Sequence, residues 1–246
     1  MSTLRTTPLT PSELEQYRTQ GWVNLGRIAD DATLESIRAE EARLRGDPKN
    51  EYTIFRSQVV HFSEPVRRFV SNGVQVPLAQ QLVGTPNVAI WFTQFVTKLN
   101  DAASGKSEFP WHQDNGYVAI EPASNVTIWI ALDDVDEQNG CVWVMPESHN
   151  KGLLDHKSKS ADSWHLTLEV EGDGVPAILK AGEAVAFTGL TLHRSKLNHT
   201  PNPRRAFFME YADATSTFHR AGTDRKPILA ESNTWIVRGQ APWPTA

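Results

Sequence analysis

Val88-Ala89-Ile90-Trp91-Phe92-Thr93-Gln94-Phe95-Val96-Thr97-Lys98-Leu99 marks the point where the sequence changes its grammar. Val, Ile, Thr, Phe and Trp dominate it, and these residues suit a pleated, half-buried surface. Shorter runs of the same character follow at residues 126–132, 141–145, 166–170, 177–179, 184–187 and 205–211. Turn signals such as Asn139-Gly140 and Glu171-Gly172-Asp173-Gly174 separate them. Many short strands at this spacing predict a sandwich or a closed double-sheet roll, not alternating strand–helix units. Upstream the pattern is helical. Thr10-Pro11-Ser12-Glu13 supplies a capping hydroxyl, a first-turn proline and the glutamate of a capping box. That helix runs to Gln20 and stops at Gly21, after which Trp22-Val23-Asn24-Leu25 alternates like a strand. Asp31 opens a second helix, and residues 64–72 and 76–83 read as two more. The expected layout is one domain over 1–246: a mainly helical part at 1–86, a strand-rich core at 87–212, and a tail from 213 with irregular structure packed on the surface.

A chain of 246 residues can bury one substantial core. Its formal charge of −5 advertises no basic face for a phosphate backbone, so nucleic acid is not expected as a partner. No run of about 18 apolar residues is present to span a membrane. Pro8, Pro11 and Glu13 interrupt the first 25 residues, which carry no apolar signal core. The single Cys141 supports neither an intrachain disulfide nor a thiolate metal cluster, and a cytoplasmic setting is expected. Phosphate-loop and dinucleotide fingerprints are absent, which leaves the histidines to be read one by one.

The informative segment is Trp111-His112-Gln113-Asp114. In extended backbone, positions i and i+2 share a face, so His112 and Asp114 can aim an imidazole and a carboxylate at one point. A second histidine would complete two histidines and one carboxylate, the donor set of non-haem iron(II) oxygenases. His193, after the apolar run 184–187 and Thr188-Gly189, is the candidate. Eleven residues on, Arg204 opens a strand-like run. Its guanidinium could take a carboxylate in a bidentate fork, with Ser195 donating a hydroxyl from the face of His193. Arg205 reads as a solvated charge, as does the acidic run Asp133-Asp134 and Asp136-Glu137.

These pieces, taken with Asn139-Gly140-Cys141, Met145-Pro146-Glu147-Ser148-His149, Ala181-Gly182-Glu183-Ala184-Val185-Ala186-Phe187, Leu192-His193-Arg194-Ser195 and Asn198, resemble the phytanoyl-CoA dioxygenase family of iron(II)- and 2-oxoglutarate-dependent oxygenases. The likeness is densest over residues 95–211 and extends to the N-terminal helix and Gly21-Trp22-Val23. It implies a double-stranded β-helix, a cupin-like jelly roll that is mainly β with N-terminal helices. It implies Fe(II) held by His112, Asp114 and His193, 2-oxoglutarate as cosubstrate with its distal carboxylate on Arg204 and Ser195, and O2 as oxidant. Trp129 and Gln94 fall where the family places cosubstrate contacts. Asp114 stands where halogenating relatives carry a small residue, and a carboxylate there excludes halide, so hydroxylation of a small molecule is the expected outcome.

Other outcomes, desaturation or cyclisation, stay open, as does a non-catalytic metal- or ligand-binding member of the same fold. A zinc hydrolase built on the same triad lacks a general base beside the ligands. Cys141 is expected as a buried core residue. His149 reads as a loop histidine, and His61, His156, His165, His199 and His219 have no partner spacing. Substrate selection is expected from the loops at 101–109 and 152–164, with Trp164 a candidate lid residue.

Overall fold

The computed structural model describes residues 3–46, 53–101, 107–160 and 165–230, and the backbone of 235–238. Trp164 and parts of both candidate substrate loops lie outside the described residues. Four helices precede the first long strand: α1 (Pro11–Gln20), α2 (Asp31–Arg45), α3 (Glu64–Asn72) and α4 (Gln75–Val83), interleaved with strands β1 (Trp22–Arg27) and β2 (Thr53–Ser57). The body follows as β3 (Asn87–Lys98), β4 (Phe109–His112), β5 (Ala119–Glu121), β6 (Val126–Ala131), β7 (Val142–Val144), β8 (Lys157–Ser158), β9 (Leu166–Thr167), β10 (Val175–Pro176), β11 (Glu183–Thr188), β12 (His193–Ser195) and β13 (Arg204–Asp213). The last three strands are β14 (Thr217–His219), β15 (Lys226–Pro227) and β16 (Trp235–Arg238).

Two antiparallel sheets carry the architecture. The major one runs β1-β11-β6-β13-β3-β16, with β2 also on β3, and the minor one runs β10-β7-β12-β4. This is a jelly roll with N-terminal helices, as the strand spacing predicts. Alternation along β13 shows how the sheet divides two cores. Phe207, Met209 and Tyr211 face outward into a cluster with Leu34, Ile37, Val66, Val70 and Leu78 of the helices. Ala206 and Phe208 face inward, toward Trp111, Val142 and Val144 of the minor sheet. The helices thus seal the back of the sheet, and the Tyr211 hydroxyl donates to the Val70 carbonyl at 2.7 Å across that seam. The space between the sheets is left for the site.

At the first helix the structure matches the sequence in detail: the Thr10–Glu13 capping box is formed, and Gly21 caps the C-terminus at φ 80. A side chain on Gly21 would strike His149 and Thr191. His149 bonds to the Arg18 carbonyl at 2.9 Å and so ties this helix to the loop after β7.

Several expectations are corrected. β2 lies within the part read as helical, and it forms because β3 offers it an edge over Thr53↔Lys98 to Ser57↔Gln94. The described part of the tail carries regular structure: β14 pairs with both β5 and β15, and β16 pairs with residues 87–90 of β3. The run 166–170 shrinks to β9, and the expected strand at 177–179 is replaced by β10, with Leu179 making a lone bridge to Val135. Arg205 is not a free surface charge; its guanidinium forks onto Asp133 at 2.9 and 2.6 Å.

Gly140 sits at φ +82 with a hypothetical Cβ 2.6 Å from the Lys196 carbonyl oxygen, which belongs to rigid backbone. Gly140→Ala is therefore expected to cost roughly 2–4 kcal/mol, from the left-handed backbone and the enforced shift together. Denaturant unfolding of the two proteins measures it.

Candidate active site

His112 ends β4, and Gln113 continues in extended backbone (φ −113, ψ 141) before Asp114 starts a short 3-10 turn. The two-residue period therefore survives past the end of the ladder, and His112 and Asp114 do share a face. β12 lies beside β4 with His193 directly opposite His112, their rings 4.1 Å apart. The Asp114 Oδ1 atom is 3.9 Å from His112 Nε2 and 3.5 Å from His193 Nε2. One ligand atom from each of the three lies within 4.8 Å of the others. The structure thus brings the three side chains singled out in the sequence to one point.

Local bonds aim these donors. His112 Nδ1 donates to the Pro110 carbonyl at 2.8 Å, and His193 Nδ1 to the Thr191 carbonyl at 3.0 Å. Each Nε2 is thereby left as the free lone pair. Burial, and then the neighbouring His193, push the His112 pKa well below the usual imidazole range, which keeps it neutral and ready to ligate. Thr127 Oγ1 donates to Asp114 Oδ2 at 2.6 Å, leaving Oδ1 toward the histidines. Thr127→Val is expected to weaken Fe(II) binding by about tenfold without unfolding the chain, because it frees the carboxylate to rotate. Direct metal titration checks this.

The triad opens onto a cavity of about 430 Å³ between the sheets, within the size range of small-molecule sites. Its major-sheet wall is ordered in rows by strand register. Lys98 opposes Arg204; Val96 opposes Ala206, which opposes Ala131; Gln94 opposes Phe208, which opposes Trp129; Phe92 opposes Glu210, which opposes Thr127. Arg204 is 1% exposed, yet none of its three guanidinium nitrogens has a hydrogen-bond partner among the described residues. Trp129 lies alongside, its ring centroid 5.5 Å from Arg204 Cζ. Burial pulls the Arg204 pKa down to about 10, which still leaves it cationic at neutral pH. Ser195 borders the same cavity, and Gln94 does too, although its amide donates to Ser57 Oγ at 2.6 Å.

Three cavity residues escaped sequence reasoning. Lys98 is fully buried, donates to the Ser195 carbonyl at 2.9 Å and to that of Lys196, and is depressed well below the usual lysine range by burial and by Arg204. Thr127 and Glu210 are the others. The parity of β13 was a usable signal for Glu210, since Arg204 and Glu210 are an even number of residues apart. His156, given no role by spacing, accepts the Gln113 backbone N–H at 3.0 Å and so holds the residue between His112 and Asp114. Cys141 is buried as expected, its thiol pushed up to about 12 by burial, and is inert.

Comparison with known proteins agrees with this geometry. The family model Phytanoyl-CoA dioxygenase (PhyH) matches residues 8–206, and the chain belongs to that family of iron(II)- and 2-oxoglutarate-dependent oxygenases. Methylphosphonate hydroxylase of Gimesia maris is 25% identical over 223 residues, covering 83% of this chain and 81% of that protein. L-proline trans-4-hydroxylase of Streptomyces griseoviridis is 26% identical, covering 90% and 92%. Among solved structures, the epimerase SnoN in complex with Fe3+, alpha ketoglutarate and nogalamycin RO superposes with a TM-score of 0.72 at 22% identity, covering 92% and 98%. That likeness shows the double-stranded β-helix fold.

The residues present fit the family's cofactors. Two imidazole nitrogens and one carboxylate oxygen suit Fe(II) and leave positions open. The unpartnered Arg204 guanidinium suits the free carboxylate of a dicarboxylic acid. No described helix is long and apolar enough to cross a membrane.

Proposed function

We propose that the protein hydroxylates an unactivated C–H bond of a small organic molecule, with release of succinate and CO2. His112, Asp114 and His193 hold Fe(II), and Arg204 with Ser195 holds the distal carboxylate of 2-oxoglutarate. The observation that carries this reading is the buried, unpartnered guanidinium of Arg204 in the cavity that the triad borders. When bound, iron and 2-oxoglutarate supply the oxidising power that the side chains lack. The chain's own residues position and exclude. Arg204 fixes one end of the cosubstrate, and the neighbouring Trp129 ring makes that end dry and flat. Gln94 occupies the row of Trp129 two strands away, with Phe208 between them, and borders the cosubstrate from β3. Phe55, Val96 and Phe208 keep water from the reacting centre.

The same reading takes residues 1–246 as one catalytic domain. The helices cover the outer face of the sheet whose inner face bears the site, so neither part buries its apolar surface alone. Hydroxylation is favoured over halogenation because Asp114 occupies the position a halide would need, and over a binding-only role because such a protein has no use for a buried uncompensated arginine.

An anaerobic titration of the metal-free protein with Fe(II) and 2-oxoglutarate tests the proposal. A visible charge-transfer band and, on admitting oxygen, succinate release are expected. A folded protein that shows neither would overturn it. Mass analysis of the product, one oxygen atom heavier than the substrate, separates hydroxylation from desaturation, cyclisation or epimerisation.

A further inference from the structure

The cavity carries charge at both ends, and the cosubstrate accounts for one of them. Arg204 forms the cationic end, with Lys98 beside it in register, and a dicarboxylate belongs there. At the other end of the same three-strand face stands Glu210, 6% exposed, flanked in register by Phe92 and Thr127. Trp91, Tyr117 and Val118 line the cavity with it. The Asn125 amide donates to one Glu210 oxygen, and among the described residues no cation pairs with the carboxyl. A buried carboxyl without a counter-charge is costly, and a fold retains one where something supplies the missing charge.

We propose that Glu210 anchors the substrate, and that the substrate carries a basic nitrogen seated on this carboxylate between the aromatic walls of Trp91, Phe92 and Tyr117. The inference rests on the reading above, in which the cosubstrate fills the Arg204 end and leaves the Glu210 end to the substrate. An ammonium donates a charge-assisted hydrogen bond to the carboxylate and gains a further attraction from aromatic faces. An anionic substrate group would find no counter-charge at this end of the cavity and would disfavour ionisation of Glu210. Glu210 is raised to about 8 by burial first and by Asp114 second, against the opposing bond from Asn125, so the carboxyl is mostly protonated at neutral pH until a cation beside it favours the carboxylate. Thr127 is the cross-strand neighbour of Glu210 and also holds Asp114, so a nitrogen bound here rests one side chain away from a metal ligand. The oxidised carbon then lies close to the nitrogen along the substrate skeleton.

The test is calorimetry under anaerobic conditions on protein loaded with Fe(II) and 2-oxoglutarate, using cyclohexylmethylamine, cyclohexylmethanol and cyclohexanecarboxylate as a matched set. The amine is expected to bind about tenfold or more tightly than the alcohol, and the carboxylate most weakly. In Glu210→Gln the amine preference is expected to fall to within about twofold of the alcohol, with 2-oxoglutarate affinity retained. A wild type without amine preference, or a Glu210→Gln variant that keeps it, overturns the inference; the wild-type comparison stands even where the variant fails to fold. The chelate absorption of the same sample reports separately on the cosubstrate site. A missing chelate with amine preference intact overturns the cosubstrate reading alone, and a normal chelate without amine preference overturns the Glu210 assignment alone.

Discussion

Arg204→Met is expected to lower the affinity for 2-oxoglutarate by roughly 100-fold or more while leaving the unliganded protein at least as stable as the wild type. The two halves of that result share one cause. Arg204 is the largest of the fully buried side chains, and its three nitrogens find no partner among the described residues. In the unliganded chain it is a desolvated charge offset by little beyond the Trp129 ring at 5.5 Å. A methionine of similar length removes that penalty and fills much of the same space. In the liganded protein the same charge meets a carboxylate in a dry pocket, where truncating one partner of a bonded pair costs about 2–5 kcal/mol. Thermal unfolding with and without 2-oxoglutarate reads both effects: an unchanged or raised Tm in its absence, and the loss of the ligand-induced rise. A variant that unfolds at lower temperature yet binds 2-oxoglutarate normally would make Arg204 structural and remove it from the site.

Much of this site was legible in the sequence because it obeys local periodicity. His112 and Asp114 share a face through an extended Gln113, and Arg204 begins an apolar strand whose alternation assigns its direction. The parts that were not legible depend on pairings distant in sequence. The five residues of β2 have no decisive pattern of their own and become a strand because β3, some forty residues later, accepts them. β14 and β16 are likewise short segments recruited to free edges by partners far upstream. Tertiary context overrides weak local preference in each case. Glu210 shows the same limit for chemistry. Within Phe207-Phe208-Met209-Glu210-Tyr211 it reads as an odd polar residue in an apolar run; parity with Arg204 assigns its face, but its place in the site comes from its register against Thr127 and, through Thr127, to Asp114. Lys98 is similar: its partners are the carbonyls of Ser195 and Lys196, nearly a hundred residues away.

Removal of the proposed carboxylate ligand, Asp114→Ala, is expected to have the second large effect. Losing a partner outside the coordination sphere costs about 10–100-fold in metal affinity, so losing a ligand outright is expected to exceed that range. The geometry sharpens the expectation. Asp114 Oδ1 faces both Nε2 atoms, at 3.9 and 3.5 Å, and it is the only anion in the donor set of the described cluster. Without it, two neutral imidazoles whose rings stand 4.1 Å apart must hold a dication with no compensating charge. Thr127 loses its acceptor at the same time, although the fold is expected to persist, because Asp114 lies in a short turn and carries no strand pairing. The anaerobic titration should then show no charge-transfer band at Fe(II) concentrations that saturate the wild type. Added chloride supplies a discriminating arm. The vacated position is the one a halide would take, so partial recovery of a shifted band with chloride, but not with sulfate at equal ionic strength, is the outcome expected if Asp114 is a ligand. A variant that forms the wild-type band without added halide would place the metal elsewhere and dismantle the triad.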